Sequence, residues 1–350
     1  MTQFLSAIGE RPLLKKIEGI CRPRPATLER LKRKHRANPL VPLGDDAYVV
    51  NMATPSRLVF TTDTLIQGTH FRPEDQRRFL PESEMWKCLG SKAMAVNLSD
   101  LAAMGRVEPL FALVTIGFGG DISVDTVDNL YKGMMEYCRY FDFIIAGGDI
   151  IRSDLSIVSI CIVGKLMSTR PVMRKGAVPG DVLMASGPIG LSSAGMEILE
   201  RQGKSLETYE KTLLRAHLLP VPRLKEGGIL AGEDIMATSM LDASDDLATS
   251  LEILGGESRV GFDVDLSRVP VHPALSSYAA AAGRSPWHWI IFGGEDYELL
   301  FTVKPSRAPR VLGRLPRAYV LGTVKPPAFG IRFRDGSRPV RLKDRRFRHF

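Results

Sequence analysis

Apolar and polar positions follow two different periods along the chain, and the change of period separates predicted strands from predicted helices. Runs of apolar and β-branched residues predict strands at 47–50, 58–65, 111–118, 143–146 and 155–166. Between them, apolar residues recur at helical spacing over 82–104, which is followed by Gly105, and over 124–140. This interleaving of helices and strands predicts a layered domain of sheet and helix.

The second half of the chain repeats this pattern after a connecting segment. Residues 167–180 are rich in proline, glycine and basic residues, which is typical of a connection. Beyond it, the pattern predicts strands at 181–186, 235–242, 260–264 and in the apolar run after 298, with helices across 191–230 and over 245–254. We therefore predict a mixed α/β (α+β) fold, with a basic N-terminal lead that includes a short helix (1–43), an N-terminal domain (44–168) and a C-terminal domain (169–350).

Composition narrows the class of protein. Apolar residues make up 44% and charged residues 25% of the 350 positions, which is typical of a soluble globular protein. No apolar run approaches 18 residues and the first residues lack a signal-peptide pattern, so we expect no membrane association. Four widely spaced cysteines without a CxxC motif (Cys21, Cys88, Cys138 and Cys161) favour reduced thiols and a cytoplasmic location.

The net charge of +8 is concentrated in a basic run within residues 11–36 and in the basic tail at 345–348. One interpretation is an arm that binds nucleic acid. The other is a solvated segment that aids solubility and attracts small anions. We favour the second, and expect no nucleic-acid partner, because the run lacks interleaved aromatic residues and a recognisable nucleic-acid module.

Five short acidic clusters border the apolar segments. They are Gly44–Asp46, Thr61–Thr64, Asn97–Asp100, Gly147–Asp149 and Asp242–Asp246. Each has a structural explanation when it is taken alone, since Ser244 or Asp245 would cap the following helix and Asn97 can bond within its own helix. Asn97 and Asp100 share one helix face, and we expect Asp63 and Asp149 at or just after strand ends, where loops build sites.

Taken together, these clusters predict a site for cations. Carboxylates that lie close together repel one another unless a cation joins them. Carboxylate, hydroxyl and amide oxygens are the ligands of Mg²⁺, which commonly bridges phosphates, and the sequence has neither an HExxH motif nor a zinc spacing. The pattern therefore indicates a Mg-nucleotide enzyme, but not one with a P-loop or a protein-kinase motif.

A further acidic stretch, GGEDYELLF (293–301), places Glu295, Asp296 and Glu298 directly before an apolar run. Carboxylates at the edge of a core are costly unless positive groups meet them, so this stretch requires cationic partners that its own residues do not supply.

Six motifs in order along the chain resemble the thiamine-monophosphate kinase family of the aminoimidazole ribonucleotide synthetase superfamily. They are TTDTLIQGTHF (61–71), SKAMAVNLSDLAAMG (91–105), GGDIIRSD (147–154), RKGAVPGD (174–181), LDASDDLATSL (241–251) and FGGEDYELLFTV (292–303). The resemblance implies transfer of the γ-phosphoryl group of ATP to thiamine monophosphate, which yields thiamine diphosphate. It also implies a homodimer whose N-terminal sheets form a barrel-like interface, a C-terminal α/β sandwich domain, and several Mg²⁺ ions between the domains.

The resemblance also implies roles for residues at matching positions. The metal ligands would be Asp46, Thr62, Asp63, Asp100, Asp149, Asp242 and Asp245. The nucleotide would contact Ser244 and Gly148, and the substrate would contact His70, Arg174 and Glu295. Glu295 would then face the cationic thiazolium or the aminopyrimidine of thiamine. The acceptor phosphate is already anionic, so the reaction needs positioning and charge neutralisation and no strong general base.

Two departures from the family pattern leave other functions open. Asp246 stands where the family usually has glycine, and Ile150 stands where it often has threonine. One alternative is a divergent member of the superfamily that activates or phosphorylates another phosphorylated metabolite. Another is a nucleotide-binding protein without catalytic activity.

Overall fold

The computed structural model describes residues 16–17, 19–35, 37–41, 49–52, 57–119, 121–201 and 205–340. These residues form two compact units. The first extends to Leu101 and also contains Glu108–Leu166, whereas the second contains Ala102–Val107 and the chain from Met167 onward. Within the described part, no helix combines the length and the apolar character needed to cross a membrane.

The first unit is built on a four-stranded sheet with the order β3-β6-β4-β5. Its strands are β3 (Leu58–Ile66), β4 (Val107–Phe118), β5 (Ile144–Arg152) and β6 (Ile157–Leu166), and a separate hairpin pairs β1 (Ala37–Val41) with β2 (Val49–Met52). The helices are α1 (Pro25–His35), α2 (Pro73–Gln76), α3 (Glu82–Ala103) and α4 (Val124–Phe141). β3 pairs antiparallel with β6, and β4 pairs parallel with β5.

The two faces of this sheet differ in how they are covered. On the inner face, the ring of Trp86 on α3 packs edge-on against Phe118 of β4, and Ile116 and Ile160 are completely buried. On the outer face, Leu31 of α1 packs in a small cluster with Leu110, Phe111, Ile144 and Ala146. Farther along the same outer face, Leu58, Phe60 and Leu113 remain exposed. Period-2 alternation thus places one set of side chains in the core and the other outside.

Helix α1 is held to the first unit by charges as well as by Leu31. The Arg30 guanidinium pairs with Asp142 and lies 3.8 Å from Glu108, and Lys34 forms a second ion pair with Glu108. Arg24 donates a 2.8 Å hydrogen bond to the carbonyl of Arg139. Part of the basic run is therefore an ion-paired helix, and these side chains are not those of a freely solvated arm.

The second unit is built on a seven-stranded sheet with the order β13-β12-β9-β11-β7-β10-β8. Its strands are β7 (Val182–Ala185), β8 (Ser239–Asp242), β9 (Gly261–Asp265), β10 (Leu299–Val303), β11 (Tyr319–Lys325), β12 (Ile331–Asp335) and β13 (Arg338–Val340). Its helices are α5 (Leu191–Glu200), α6 (Thr208–Leu218), α7 (Leu224–Leu230), α8 (Leu247–Ser258), α9 (Pro273–Ala281), α10 (Trp287–Phe292) and α11 (Ala308–Arg314). One apolar core joins the sheet to the helices.

The structure confirms the mixed α/β fold class and most of the predicted elements, but it corrects several bounds. The strand predicted at 143–146 continues to Arg152, and the strand predicted at 235–242 begins only at Ser239. Asp63 and Asp149 lie within β3 and β5, so the prediction that both lie at or just after strand ends is wrong. Both strands are edges of the described sheet, where a polar side chain keeps access to water.

Candidate functional site

Asp63 and Asp100 come together on the inner side of β3. Asp63 follows Thr61 by two residues, so both side chains project from the same face of β3. The hydroxyl of Thr61 donates a hydrogen bond to Oδ2 of Asp100, which reaches β3 from α3. Burial, together with the charge of Asp100, raises the pKa of Asp63 from 3.8 to about 6. This pair of carboxylates is therefore a place where a cation would relieve repulsion.

Thr62 and Asp149 lie on the outer side of the same sheet. Thr62 pairs with Cys161 of β6, and Asp149 pairs with Thr115 of β4. Because β3 and β5 are the two edges, these side chains are separated by three strand spacings, or about 14 Å. Within this unit, the structure does not bring Thr62 and Asp149 to the carboxylates of Asp63 and Asp100.

Gly148 lies next to Asp149, where the backbones of two strands approach closely. A Cβ at Gly148 would lie only 1.8 Å from the carbonyl oxygen of Val114, so a larger residue cannot be accommodated without displacing β4. The carboxylate of Asp149 accepts a 2.9 Å hydrogen bond from the backbone N–H of Ile150. Glycine at this position is thus explained by packing, whatever contact it makes with a phosphate.

His70 lies in the turn that follows β3. Its Nδ1 accepts a 3.1 Å hydrogen bond from the backbone N–H of Ile66. An imidazole nitrogen that accepts carries no proton, so the neutral ring bears its proton on Nε2. His70 can therefore offer an N–H donor to an anionic group.

In the second unit, the loop after β8 carries three of the predicted site residues. Asp242 ends β8 and is buried, whereas Ser244 and Asp245 are exposed. The carbonyl of Ser244 accepts a 2.8 Å hydrogen bond from the N–H of Glu295, which joins this loop to the GGEDYELLF stretch. Asp242, Ser244, Asp245 and Glu295 therefore share one edge of the second unit.

Asp246 is the residue that caps helix α8. Its carboxylate accepts hydrogen bonds from the backbone N–H of Thr249 at 2.7 Å and from the hydroxyl of Thr249 at 3.0 Å. The prediction that Ser244 or Asp245 caps this helix is therefore wrong by one or two residues. The capping interaction explains the carboxylate at 246 without invoking another substrate or another cation.

Arg174 lies in the segment that leads into the second unit, and its side chain is exposed. Its carbonyl accepts a 3.2 Å hydrogen bond from the hydroxyl of Ser258 at the end of α8. The backbone is thus fixed while the planar guanidinium projects into solvent, as a phosphate-binding group requires.

The acids of GGEDYELLF each meet a different partner. Asp296 accepts hydrogen bonds from the backbone N–H groups of Gly190 and Ser192 at the start of α5, and burial raises the pKa of its carboxyl to about 7. Glu298 is buried, and its carboxylate accepts hydrogen bonds from the guanidinium of Arg223 at 2.7 and 2.9 Å. It also accepts hydrogen bonds from Arg317 and Ser186. Asp296 and Glu298 thus have structural roles, because Asp296 joins this stretch to the start of α5 and Glu298 joins it to Arg223.

Glu295 and Asp296 both remain partly exposed, and Glu295 meets a side chain of the second unit. The side chain of Glu295 is 25% exposed, and its Oε2 lies 3.3 Å from Nδ1 of His217. The sequence predicted a cationic ligand as the partner of Glu295, and the structure shows that the protein supplies an imidazole there as well. Sequence reasoning missed His217 and Arg223 because each is distant along the chain, although the uncompensated acids indicated that such partners exist.

One of the predicted metal ligands, Asp46, lies outside the described residues. Among the residues that the structure describes, no three His, Cys, Asp or Glu side chains gather closely enough to hold a metal ion. The donors present nevertheless fit Mg²⁺, because this ion retains several waters and needs only one or two carboxylates from the protein, as Asp63 and Asp100 provide.

Comparison with known families agrees with this fold. Residues 44–166 match the N-terminal domain of AIR synthase related proteins, and residues 178–332 match the C-terminal domain of the same proteins. These matches define the class of the protein and cover most of its length.

Relatives and solved structures narrow the class further. Thiamine-monophosphate kinase from Escherichia coli strain K12 is 32% identical over 324 residues, which span 91% of this chain and 94% of the relative. The enzyme of the same name from Aquifex aeolicus is 33% identical over 76% of this chain and 81% of its own length. The structure of AaThiL complexed with AMPPCP and TMP covers both chains completely, at 28% identity and a TM-score of 0.72. The chain belongs to the thiamine-monophosphate kinase family of the AIR synthase related proteins.

Proposed function

We propose that this chain transfers the γ-phosphoryl group of ATP to the phosphate of thiamine monophosphate, giving thiamine diphosphate and ADP. The observation that carries the proposal is the match with thiamine-monophosphate kinases over nine-tenths of the chain, including 94% of the Escherichia coli relative. AaThiL, which is similar over its full length, binds an ATP analogue together with TMP. The free thiols of all four cysteines suit a reducing compartment, which supports a cytoplasmic location.

The residues present suit a reaction that depends on positioning. The acceptor is a phosphate that is already ionised, so the chain needs no general base to activate it. The Nε2–H of His70 and the exposed guanidinium of Arg174 are donors for phosphate oxygens. Ser244 and Gly148 would contact the nucleotide, and Glu295 would face the cationic part of thiamine.

Asp63 and Asp100 are the best-supported ligands for Mg²⁺ in this proposal. Their mutual repulsion, visible in the raised pKa of Asp63, favours a bound cation. Asp46, Thr62, Asp149, Asp242 and Asp245 complete the set of ligands proposed from the family pattern. Bound Mg²⁺ would neutralise charge on the phosphate oxygens during transfer.

We also propose that the chain acts as a homodimer. On the outer face, Leu58 and Phe60 of the edge strand β3 and Leu113 of β4 are exposed apolar side chains, and exposed apolar surface is typical of a protein interface. A second copy would cover this apolar face and the free edge of β3 together.

The test is a product analysis by ³¹P NMR. The purified protein with Mg-ATP and thiamine monophosphate is expected to give the two phosphorus signals of thiamine diphosphate, in step with ADP. Asp63→Asn removes a proposed metal ligand, and a loss of at least about a hundredfold in kcat is expected. Asp125→Asn changes an exposed acid on α4 and serves as the matched control, with activity unchanged.

Two outcomes would contradict the proposal. ADP formation without thiamine diphosphate would indicate another acceptor, and a screen of phosphorylated metabolites would follow. A folded wild-type protein that binds Mg-ATP but makes neither product would favour a nucleotide-binding protein without catalytic activity.

A further inference from the structure

A buried histidine contacts Glu295, an acid of GGEDYELLF whose side chain is 25% exposed. His217 lies on α6 with only 3% of its surface exposed. Its Nδ1 is 3.3 Å from Oε2 of Glu295 and 3.1 Å from the hydroxyl of Ser192. A carboxylate oxygen accepts hydrogen bonds, so this contact requires the imidazole tautomer that carries its proton on Nδ1.

The backbone at Glu295 is in an unusual conformation that requires support. Its φ is +61°, a left-handed value that non-glycine residues adopt only when the surrounding structure supports it. The N–H of Glu295 bonds to Ser244, which fixes the backbone beside the loop assigned to the nucleotide. The strained residue therefore presents its side chain outward, and the contact with His217 limits the orientations that the carboxylate can take.

Ser192, at the start of helix α5, contacts both Asp296 and the histidine that contacts Glu295. Ser192 donates its backbone N–H to Asp296 at 3.0 Å and places its hydroxyl against the ring of His217. Asp296 and Glu298 are satisfied by backbone amides and by Arg223, as described above. Glu295 is thus held by α6, while its neighbours are held by other elements, and its carboxylate is the one placed to meet a ligand.

We infer that His217 is a positioning residue for the substrate, acting through Glu295. Its Nδ1–H fixes one oxygen of the Glu295 carboxylate, so that the carboxylate keeps its direction toward the cationic rings of the substrate. This inference rests on the proposed function, because it takes thiamine monophosphate as the ligand of Glu295.

The test compares two substitutions that differ in one hydrogen bond. His217→Asn retains an N–H donor near the position of Nδ1, and His217→Leu fills similar space without a donor. His217→Leu is expected to raise the KM for thiamine monophosphate about tenfold, the effect of losing one hydrogen bond to a charged group, and to leave the KM for ATP unchanged. His217→Asn is expected to remain within about threefold of the wild type, since the donor is preserved.

A double-variant comparison separates positioning from packing. Glu295→Gln alone is expected to raise the KM for thiamine monophosphate, and in the His217→Leu background it should add little, because the two residues act as one unit. A merely structural histidine would instead lower the melting temperature of both His217 variants without a selective change in either KM. Equal KM values in His217→Leu and the wild type would overturn the inference, as would equal defects in the Leu and Asn variants.

The contact itself can be measured without turnover. Imidazole ¹H–¹⁵N spectra of the wild-type protein are expected to show His217 with its proton on Nδ1, and the signal should move in Glu295→Gln. A proton found only on Nε2 would overturn the inference. A wild-type protein with the Nδ1 proton that makes no thiamine diphosphate would overturn the proposed function and leave the contact between Glu295 and His217 established.

Discussion

At the scale of single residues, Asp63 shows how burial and a like charge act on one carboxyl group. Its pKa is raised to about 6, first by burial and then by Asp100. The folded chain therefore keeps a proton on Asp63 at pH values where the unfolded chain has released it. A partly buried carboxyl that is neutral near pH 5 and ionised near pH 8 suits a site that must gain and lose a cation.

This shift gives a prediction for stability in the absence of metal. Because the folded-state pKa is raised above the unfolded value, the free energy of unfolding falls as pH rises from about 4 to about 6. Asp63→Asn has no such titration, so it should melt at a higher temperature than the wild type at pH 7.5 and lose most of that advantage at pH 4. Thermal denaturation in EDTA measures this difference.

A melting temperature of Asp63→Asn that is offset equally at both pH values would contradict the assigned pKa.

The same scale shows what the sequence could predict about the site. The family of the chain was identified correctly from short motifs, and Glu298 was correctly expected to need positive partners, whereas Asp296 is met by neutral backbone amides. The partners themselves could not be predicted, because His217 and Arg223 lie about 80 residues before those acids and only the fold brings them together. The cap of α8 was predicted at Ser244 or Asp245 and lies at Asp246, because the position of the cap depends on where α8 begins.

At the scale of elements, the crossing of α3 and α4 depends on two glycines. A Cβ at Gly90 would lie 1.9 Å from the carbonyl oxygen of Leu130, and a Cβ at Gly133 would lie 1.9 Å from that of Lys87. Ser91 joins the helices further by donating a 3.1 Å hydrogen bond to the carbonyl of Gly133. The backbones of α3 and α4 are therefore in direct contact at this crossing. The contact fixes the position of α3, the helix that carries Asp100, relative to α4.

Gly133→Ala is predicted to destabilise the protein by roughly 3 kcal/mol, because the methyl group meets backbone that can give way only if the helices separate. Gly256→Ala on α8 is the matched control, since nothing lies within 4 Å of its added methyl group. There the gain in helix propensity should leave stability unchanged or raise it by up to about 1 kcal/mol. Urea denaturation measures both, and equal stability of the two variants would show that the crossing is less tight than described.

Element prediction succeeded where periodicity was strong and failed where segments were short. The apolar stripe of α4 and the alternation of β6 gave bounds within two residues of those observed. The predicted strand ends at 146, before Gly147 and Gly148, whereas β5 continues through both glycines. The close approach of β5 to β4 requires glycine within the strand. The strands after Val303 were not predicted, since three to seven residues carry too little pattern to separate a strand from a loop.

At the scale of the whole molecule, the outer face of the first sheet determines the proposed assembly. Phe60 is 66% exposed and sits beside Val163, at the border of the cluster that α1 covers. α1 therefore shields one part of this face and leaves another part apolar and open. Such a partly covered face is consistent with a second copy that meets the remainder.

Phe60→Glu is predicted to convert a dimer to a monomer at micromolar concentration, because the interface would have to bury an unpaired charge. Sedimentation equilibrium measures the mass of each protein. Tyr140→Glu is the control, since Tyr140 is a highly exposed aromatic residue at the end of α4 and should leave the dimer intact. A wild-type protein that sediments only as a monomer would contradict the proposed homodimer.

The ion pairs of α1 change where the basic charge of the molecule lies. Arg30 and Lys34 face Glu108 and Asp142, so each of these charges has an opposite charge beside it. The net charge of +8 already counts both acids and is unchanged by the pairing, so the uncompensated positive charge lies on other parts of the chain. Close to α1, a polyanion would therefore be attracted more weakly than the run of basic residues in this helix suggests.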